Sequence, residues 1–84
     1  MNNWLVYLVE CSDGTKYRGA TNNVEKRIKT HNSGKGAKYT RVRLPVRLLV
    51  TSRLMPKWDA LKLEREVKKQ KADKKIEYLE MFAG

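Results

Sequence analysis

The sequence predicts an α/β (α+β) domain, in which a small three-stranded, mostly antiparallel sheet is flanked by helices in the order β-β-α-β-α-α. Two short runs of β-forming residues, 4–9 and 16–20, lie on either side of a turn, and a third run follows at 46–51. Elsewhere apolar residues recur with the spacing of an amphipathic helix. Because 84 residues form only a small core, we expect a single domain over 1–84.

The N-terminal half of the chain predicts a β-hairpin followed by a helix. Residues 12–15 have the composition of a hairpin turn, which lets the first two strands pair. Asn22 is predicted to cap the next helix, with Glu25 three residues later as in a capping box. The helix is expected to end at 32–34, where Asn, Ser and Gly follow one another.

A basic loop and a third strand follow the first helix. The loop is predicted over 34–44 and contains two glycines. In the strand after it, Val46, Leu48 and Val50 alternate with other residues and are predicted to share one face of the sheet.

Two further helices are predicted to complete the chain. Pro56 suits the first position of the second helix, which is expected to run to about Lys71. A last helix over about 74–82 repeats an apolar spacing. The core of the domain is therefore expected within about 4–71, with the last helix as a cap or as the contact of a homodimer.

The charge of the chain is strongly positive and unevenly distributed. Nineteen Lys and Arg face nine Asp and Glu, a formal net charge of +10. The segment 35–53 has no acidic residue and contains six basic ones: Lys35, Lys38, Arg41, Arg43, Arg47 and Arg53. Basic residues that only keep a protein soluble usually alternate with acidic ones, as they do near the C-terminus. The segment is therefore predicted to face nucleic-acid phosphates, of DNA or alternatively of RNA.

Cysteine and hydropathy indicate the compartment. Cys11 is the only cysteine and His31 the only histidine, so the sequence has neither a disulfide pair nor the ligands of a zinc site. No apolar run approaches the ~18 residues of a membrane span, and a signal peptide is not recognisable. We expect a soluble cytoplasmic protein with no membrane partner.

One carboxylate of the second helix falls on its apolar side. With ~100° per residue, four apolar residues lie within roughly 160°, namely Ala60, Leu61, Leu63 and Val67. Glu64 lies inside this arc, where an unpaired carboxylate would be costly. The alternatives are a structural ion pair with a nearby arginine or a functional carboxylate.

Four more polar or aromatic residues are predicted to lie at the edge of the core. Arg27 and His31 flank the apolar stripe of the first helix, and Tyr7 and Tyr17 belong to the first two strands. Each has a structural alternative: a surface cation, a hydrogen-bonded histidine, and two core aromatics. Their coincidence with Glu64 favours a site.

These residues resemble the GIY-YIG nuclease superfamily, specifically its short stand-alone single-domain members. The resemblance is carried by five motifs, namely Val6-Tyr7-Leu8, Tyr17-Arg18-Gly19, Arg27 with His31, the loop 34–41, and the segment 60–68 around Glu64. Two positions depart from the family pattern. Arg18 replaces a small or β-branched residue, and Ala20 stands where some members have a lysine.

The resemblance implies a metal-dependent endonuclease that hydrolyses phosphodiester bonds in DNA. Glu64 is implied as the ligand of a single Mg²⁺ (or Mn²⁺), and Arg27 as the residue that stabilises charge on the scissile phosphate. The general base remains open among Tyr7, Tyr17 and His31. Gly19 is expected to leave space for the phosphate to approach the strand.

DNA binding is expected to be weakly sequence-dependent. Recognition of a particular DNA structure is an open alternative. The predicted nucleic-acid contacts are Arg18, Lys35, Lys38, Tyr39 and Arg41. One alternative is a catalytically inactive nucleic-acid-binding module, which the departures at Arg18 and Ala20 favour. Another is a protein-interaction adaptor that uses residues 72–84 as its contact.

Overall fold

The computed structural model describes residues 2–83, so the predicted domain limits at 1 and 84 lie outside the described range. Three antiparallel strands form one sheet in the order β2-β1-β3. The strands are β1 (Leu5–Glu10), β2 (Lys16–Thr21) and β3 (Arg47–Thr51). The helices are α1 (Val24–Asn32), α2 (Lys38–Arg41), α3 (Lys57–Lys69) and α4 (Lys75–Glu80), with a 3₁₀ turn at Ala72–Lys74. The predicted fold class is confirmed.

The central strand β1 separates two groups of buried residues, because its successive side chains point to opposite faces. Val6 and Leu8 pack with residues of α3 and α4 on one face. Tyr7 and Val9 pack toward α1 on the other face. The alternation therefore directs Tyr7 to the side of the sheet that α1 covers.

The prediction that Val46, Leu48 and Val50 share one face is wrong. A β-bulge shifts the register between β1 and β3, so that Leu8 pairs with Val50 and Val9 pairs with Leu48. Paired residues of adjacent strands share a face. Val46 packs on the α1 side whereas Val50 packs against the core under α3 and α4. The bulge adds one residue and reverses the alternation within β3.

The predicted N-cap of α1 is displaced by one residue. Asn23, not Asn22, caps the helix, and its side chain accepts a hydrogen bond from the backbone N–H of Lys26 at 3.1 Å. The third residue of the helix is consequently Lys26, so the capping box expected with Glu25 does not form.

The C-terminal elements differ from prediction mainly at their ends. The N-cap of α3 is Pro56, and the helix stops at Lys69 rather than about Lys71. Lys75 then donates to the last carbonyls of α3, those of Val67 and Lys68, at 3.0 and 3.1 Å. The buried Leu79 of α4 packs into the core under the sheet. An oligomer contact through α4 stays a prediction.

Two further expectations concern the loop and the membrane. The segment predicted as a loop over 34–44 contains one helical turn, α2, whose Thr40 is fully buried. Within residues 2–83, none of the helices has the length and hydropathy needed to cross a membrane.

Candidate active site

Tyr7 and His31 form a buried hydrogen-bonded pair between β1 and α1. The Tyr7 hydroxyl lies 2.9 Å from His31 Nε2, and the two rings meet edge to face with centroids 5.9 Å apart. Tyr7 is 1% exposed and His31 0% exposed. A buried polar pair of this kind holds both rings in fixed orientations, because loss of either partner leaves the other unsatisfied.

Gly19 makes room for Tyr7. The two residues are register partners in the β1–β2 hairpin. A Cβ atom at position 19 would overlap the Tyr7 hydroxyl and ring. The tyrosine of the neighbouring strand therefore fills the space beside Gly19. The expectation that this space admits a phosphate is wrong.

Arg27 lies one turn before His31 on α1 and reaches the same hydroxyl. Residues four apart share a helix face, so both side chains are directed toward β1. The Arg27 Nε–H donates to the Tyr7 oxygen at 3.4 Å, a long hydrogen bond. Arg27 is partly exposed. It therefore links the buried pair to the surface.

The environment favours the neutral forms of both buried partners. Burial, and after it the charge of Arg27, lowers the pKa of His31 from its ordinary value of 6.5. Burial raises the pKa of Tyr7 above its ordinary value of 10.0, although the hydrogen bond and charge of Arg27 oppose this. Near neutral pH the pair therefore consists of a neutral imidazole and a phenol.

Thr40 is a member of this group that the sequence did not single out. Its hydroxyl lies 2.8 Å from His31 Nδ1, and the residue is 0% exposed. It belongs to α2, within the basic segment that was predicted as a loop. The signal available in the sequence was its place in the loop motif 34–41, which did not indicate that its side chain turns inward.

Tyr17 borders the site, and its side chain forms no hydrogen bond to another residue in the range 2–83. Its ring meets His31 edge to face at 5.7 Å and stacks on Tyr39 at 5.7 Å with 20° between the planes. The guanidinium of Arg43 lies 4.1 Å from the centre of the Tyr39 ring. The aromatic contacts thus connect the second strand to α2.

The basic segment is less free of acidic partners than its composition suggests. Arg43 Nε donates to Asp13 at 3.0 Å, and Arg47 Nε donates to Glu10 at 2.9 Å. Both carboxylates come from the β1–β2 hairpin, outside the segment. Of the predicted nucleic-acid contacts, Lys35, Lys38 and Arg41 are exposed and form no salt bridge within the described part of the chain.

Glu64 is paired with Arg18 on the α3 side of the sheet. Glu64 Oε2 lies 3.6 Å from Arg18 Nε, and their side chains are 28% and 21% exposed. Arg18 Nε is buried and has no hydrogen-bond partner among the described residues. Arg18, predicted as a nucleic-acid contact, thus faces a carboxylate, and the structural alternative for Glu64, an ion pair, is present in the structure.

The structure therefore divides the predicted catalytic residues into two groups. Tyr7, Tyr17, Arg27 and His31 come together on the α1 side, as described above. Glu64 contacts none of them through a hydrogen bond within 2–83. Burial is the main cause of the raised pKa of Tyr7, and the negative charge of Glu64 adds to it.

The residues present limit how a divalent ion can be held. Among residues 2–83 there is no group of three His, Cys, Asp or Glu side chains placed to bind a metal. A single partly exposed carboxylate suits Mg²⁺, which keeps several waters and takes its remaining ligands from substrate phosphate. Glu64 fits an ion of that kind once Arg18 has moved away from its carboxylate.

Three features define the class of protein. They are the sheet order β2-β1-β3, two paired strands that each carry a tyrosine of the site, and a helix that directs Arg27 and His31 to the same hydroxyl. A family model described as the GIY-YIG catalytic domain matches residues 3–77, and the chain belongs to this family. The match includes the strands β1 to β3 and the helix α3 that carries Glu64.

Individual relatives are small proteins of similar length. The UPF0213 protein of Streptococcus agalactiae serotype V is 47% identical over 74 residues, covering 88% of this chain and 84% of its own. A UPF0213 protein of Bacillus cereus is 51% identical over 79 residues, covering 94% and 82%. The resemblance to short single-domain GIY-YIG members is thereby confirmed.

Two solution NMR structures are similar to this chain. The UPF0213 protein of Bacillus halodurans is 46% identical, with a TM-score of 0.56 and coverage of 96% of this chain and 86% of that one. A protein of E. faecalis is 38% identical, with a TM-score of 0.62 and coverage of 98% and 91%. Both support the same arrangement of strands and helices.

Proposed function

We propose that this chain is an endonuclease that hydrolyses phosphodiester bonds in DNA, with weak sequence specificity and a single divalent ion, Mg²⁺ or Mn²⁺. The observation that carries the proposal is the contact of Arg27 and His31 with one hydroxyl, that of Tyr7. A cation, a phenol and an imidazole are groups that bind a phosphate and move a proton. They lie in a chain with the fold of a GIY-YIG catalytic domain.

Arg27 is the proposed phosphate ligand. Its long contact with Tyr7 is readily exchanged for a charge-assisted, two-pronged contact with phosphate oxygens. This exchange uncovers the Tyr7 hydroxyl, which is otherwise buried. Binding of the phosphate and access of water to Tyr7 then occur together.

Tyr7 and His31 are the proposed proton acceptors. As a water molecule attacks phosphorus, its proton passes to the Tyr7 oxygen while the Tyr7 proton passes to His31 Nε2. A phosphorus–oxygen bond forms to the water oxygen, and the bond to the leaving sugar oxygen breaks. The sugar oxygen takes a proton from solvent, and His31 returns its own proton to solvent. A free phenol with a pKa of ~10 keeps its own proton at neutral pH and is a poor base. Neutral His31 accepts the phenol proton, so that the Tyr7 oxygen can take the proton of the water.

Glu64 is the proposed ligand of the divalent ion, together with waters and phosphate oxygens. When bound, the ion supplies positive charge that stabilises negative charge on the phosphate. Arg18 must leave Glu64 for this binding, since its guanidinium lies against the carboxylate.

The exposed cations beside α2 are the proposed contacts to the nucleic-acid backbone. Lys38, Tyr39 and Arg41 belong to α2, and Lys35 precedes it. Their contacts are expected to give binding that depends steeply on salt and weakly on sequence.

The test is cleavage of supercoiled, linear and branched DNA, and of RNA, in Mg²⁺ or Mn²⁺. The wild type is compared with Glu64→Gln and with Arg27→Ala. Lys29→Ala is the matched control for Arg27, because it removes the same charge from an exposed position of the same helix. The proposal expects nicking that both site variants lose and the control retains. Absence of metal-dependent cleavage of every substrate by the wild type would overturn it.

A second candidate function is a nucleic-acid-binding module without catalysis. The ion pair of Arg18 with Glu64 favours it, because the guanidinium of Arg18 already neutralises the carboxylate that would bind a metal ion. This candidate expects salt-sensitive DNA binding and no cleavage at any metal concentration. It is rejected if wild-type nicking requires Glu64.

A further inference from the structure

Thr40 is a buried hydroxyl placed between exposed residues of the basic segment. Its neighbours in α2 are Tyr39 and Arg41, which are exposed, whereas Thr40 is 0% exposed. The side chain contacts two groups, His31 Nδ1 at 2.8 Å and the Ala37 carbonyl at 3.0 Å. One residue therefore joins the predicted nucleic-acid contacts to the candidate active site.

The contacts of the Tyr7 hydroxyl determine which nitrogen of His31 carries the proton. The buried Tyr7 hydroxyl has two side-chain partners in the described chain, Arg27 Nε and His31 Nε2. Arg27 Nε can only donate, so the phenol proton requires His31 Nε2 as its acceptor. Neutral His31 must then carry its own proton on Nδ1.

The contacts of the Thr40 hydroxyl also place the His31 proton on Nδ1. A backbone carbonyl can only accept, so the Thr40 hydroxyl donates its proton to Ala37. The hydroxyl oxygen then accepts from His31 Nδ1–H. The donors run in one direction, from Arg27 to Tyr7, His31, Thr40 and finally the Ala37 carbonyl.

Gly36 holds the basic segment directly against the histidine. A Cβ atom at position 36 would overlap His31 Nδ1 and lie 2.8 Å from its Cα. The backbone of the segment therefore passes His31 at a distance that no other residue type tolerates without a shift. Thr40 and Gly36 together fix the segment to one edge of the imidazole.

We propose that Thr40 is a positioning residue that holds His31 as the Nδ1–H tautomer and so keeps Nε2 available to the Tyr7 proton. The inference deepens the proposed function and rests on it for its catalytic meaning. It also connects backbone binding to proton transfer, because a displacement of α2 moves the acceptor of His31 Nδ1–H.

The test reads the tautomer directly by long-range ¹H–¹⁵N NMR of the histidine ring, which is unambiguous because the sequence has one histidine. The wild type is expected to show a protonated Nδ1 and an unprotonated Nε2 at pH 7.5. Observation of the Nε2–H tautomer in the wild type would overturn the inference without the need for any variant.

Variants separate the hydroxyl from the shape of the side chain. Thr40→Val keeps the branched shape and removes the acceptor, so the Nδ1–H signal should be lost to a mixture of tautomers. Thr40→Ser should retain the wild-type tautomer. Thr30→Val is the matched control, since the Thr30 hydroxyl donates to the Lys26 carbonyl at 2.9 Å and, within 2–83, the ring nitrogens of His31 bond to Tyr7 and Thr40. An unchanged tautomer in folded Thr40→Val contradicts the inference.

Cleavage distinguishes this inference from the proposed function. If the chain cuts DNA, Thr40→Val should lower kcat about ten-fold or more, and Thr40→Ser should restore it. If the wild type cuts nothing, the proposed function fails, while the tautomer measurement still decides the position of the proton. An unaltered rate in Thr40→Val with an altered tautomer would refute the catalytic part.

Discussion

The guanidinium of Arg18 lies 3.6 Å from the carboxylate of Glu64, so the proposed metal ligand already has a cation of the same chain beside it. Both side chains are partly buried, and the Arg18 Nε has no hydrogen bond within 2–83. The contact is thus an ion pair without good hydrogen-bond geometry. A pair of this kind can be opened by a competing ion.

Removal of the arginine is expected to strengthen binding of a divalent ion. A partly exposed ion pair contributes up to about 1 kcal/mol, so Arg18→Ser should raise the affinity for Mn²⁺ by up to about five-fold. Isothermal titration calorimetry without DNA measures this. Arg65→Ser, which removes a cation from an exposed position of α3 next to Glu64, is the control. Equal affinities of Arg18→Ser and the wild type would show that the two cations do not compete.

Gly19→Ala is expected to destabilise the fold. The added methyl group would overlap the Tyr7 hydroxyl, and overpacking of this kind costs about 1–3 kcal/mol. Urea unfolding gives the loss in the free energy of unfolding. The same change should cost less in a Tyr7→Leu background, where the overlapping ring is absent. An equal cost in both backgrounds would assign the effect to another cause.

Stability is expected to fall as the pH is lowered below the ordinary pKa of histidine. The pKa of His31 is lower in the folded chain than its ordinary value of 6.5, mainly because of burial. The unfolded state therefore binds this proton more readily, and the stabilisation present above pH 6.5 is lost as the pH falls through the folded pKa. The slope is at most about 1.4 kcal/mol per pH unit. Urea unfolding between pH 7.5 and 5 should show it in the wild type and not in His31→Gln.

The exposed cations beside α2 are expected to determine the salt dependence of DNA binding. Each of Lys35→Ala, Lys38→Ala and Arg41→Ala should weaken binding and lower the slope of log Kd against log salt by about 1. Fluorescence anisotropy at several salt concentrations provides both quantities. Arg47→Ala is the comparison, because Arg47 is already paired with Glu10. A larger effect at Arg47 than at the three free cations would place the interface elsewhere.

Local patterns were sufficient to predict the strands, the helices other than α2, and much of the candidate site. Alternation along β1 places Tyr7 opposite in direction to Val6 and Leu8, and a spacing of four residues places Arg27 and His31 on one helix face. Both features depend on the geometry of a single strand or helix. They required no knowledge of how the elements pack.

Other features depend on residues that are distant in the sequence. The bulge opposite Leu8 and Val9 puts Leu48 and Val50 on opposite faces of the sheet, and it arises from the pairing of β1 with β3. A regular two-residue alternation could not reveal it. The acidic partners of Arg43 and Arg47 likewise come from the hairpin, so a count of charges within 35–53 overstated the free positive charge.

The sequence by itself determined a basic β-β-α-β-α-α chain of the GIY-YIG family and the residue types available for its site. The tertiary structure decided which partners they have: Glu64 faces Arg18, Gly19 accommodates Tyr7, and Thr40 binds His31. The type of element and the repeat of its side chains, two residues in a strand and 3.6 in a helix, fix the direction of a side chain within its own element. Its neighbours depend on the packing of elements against one another, and proton position and metal access depend on those neighbours.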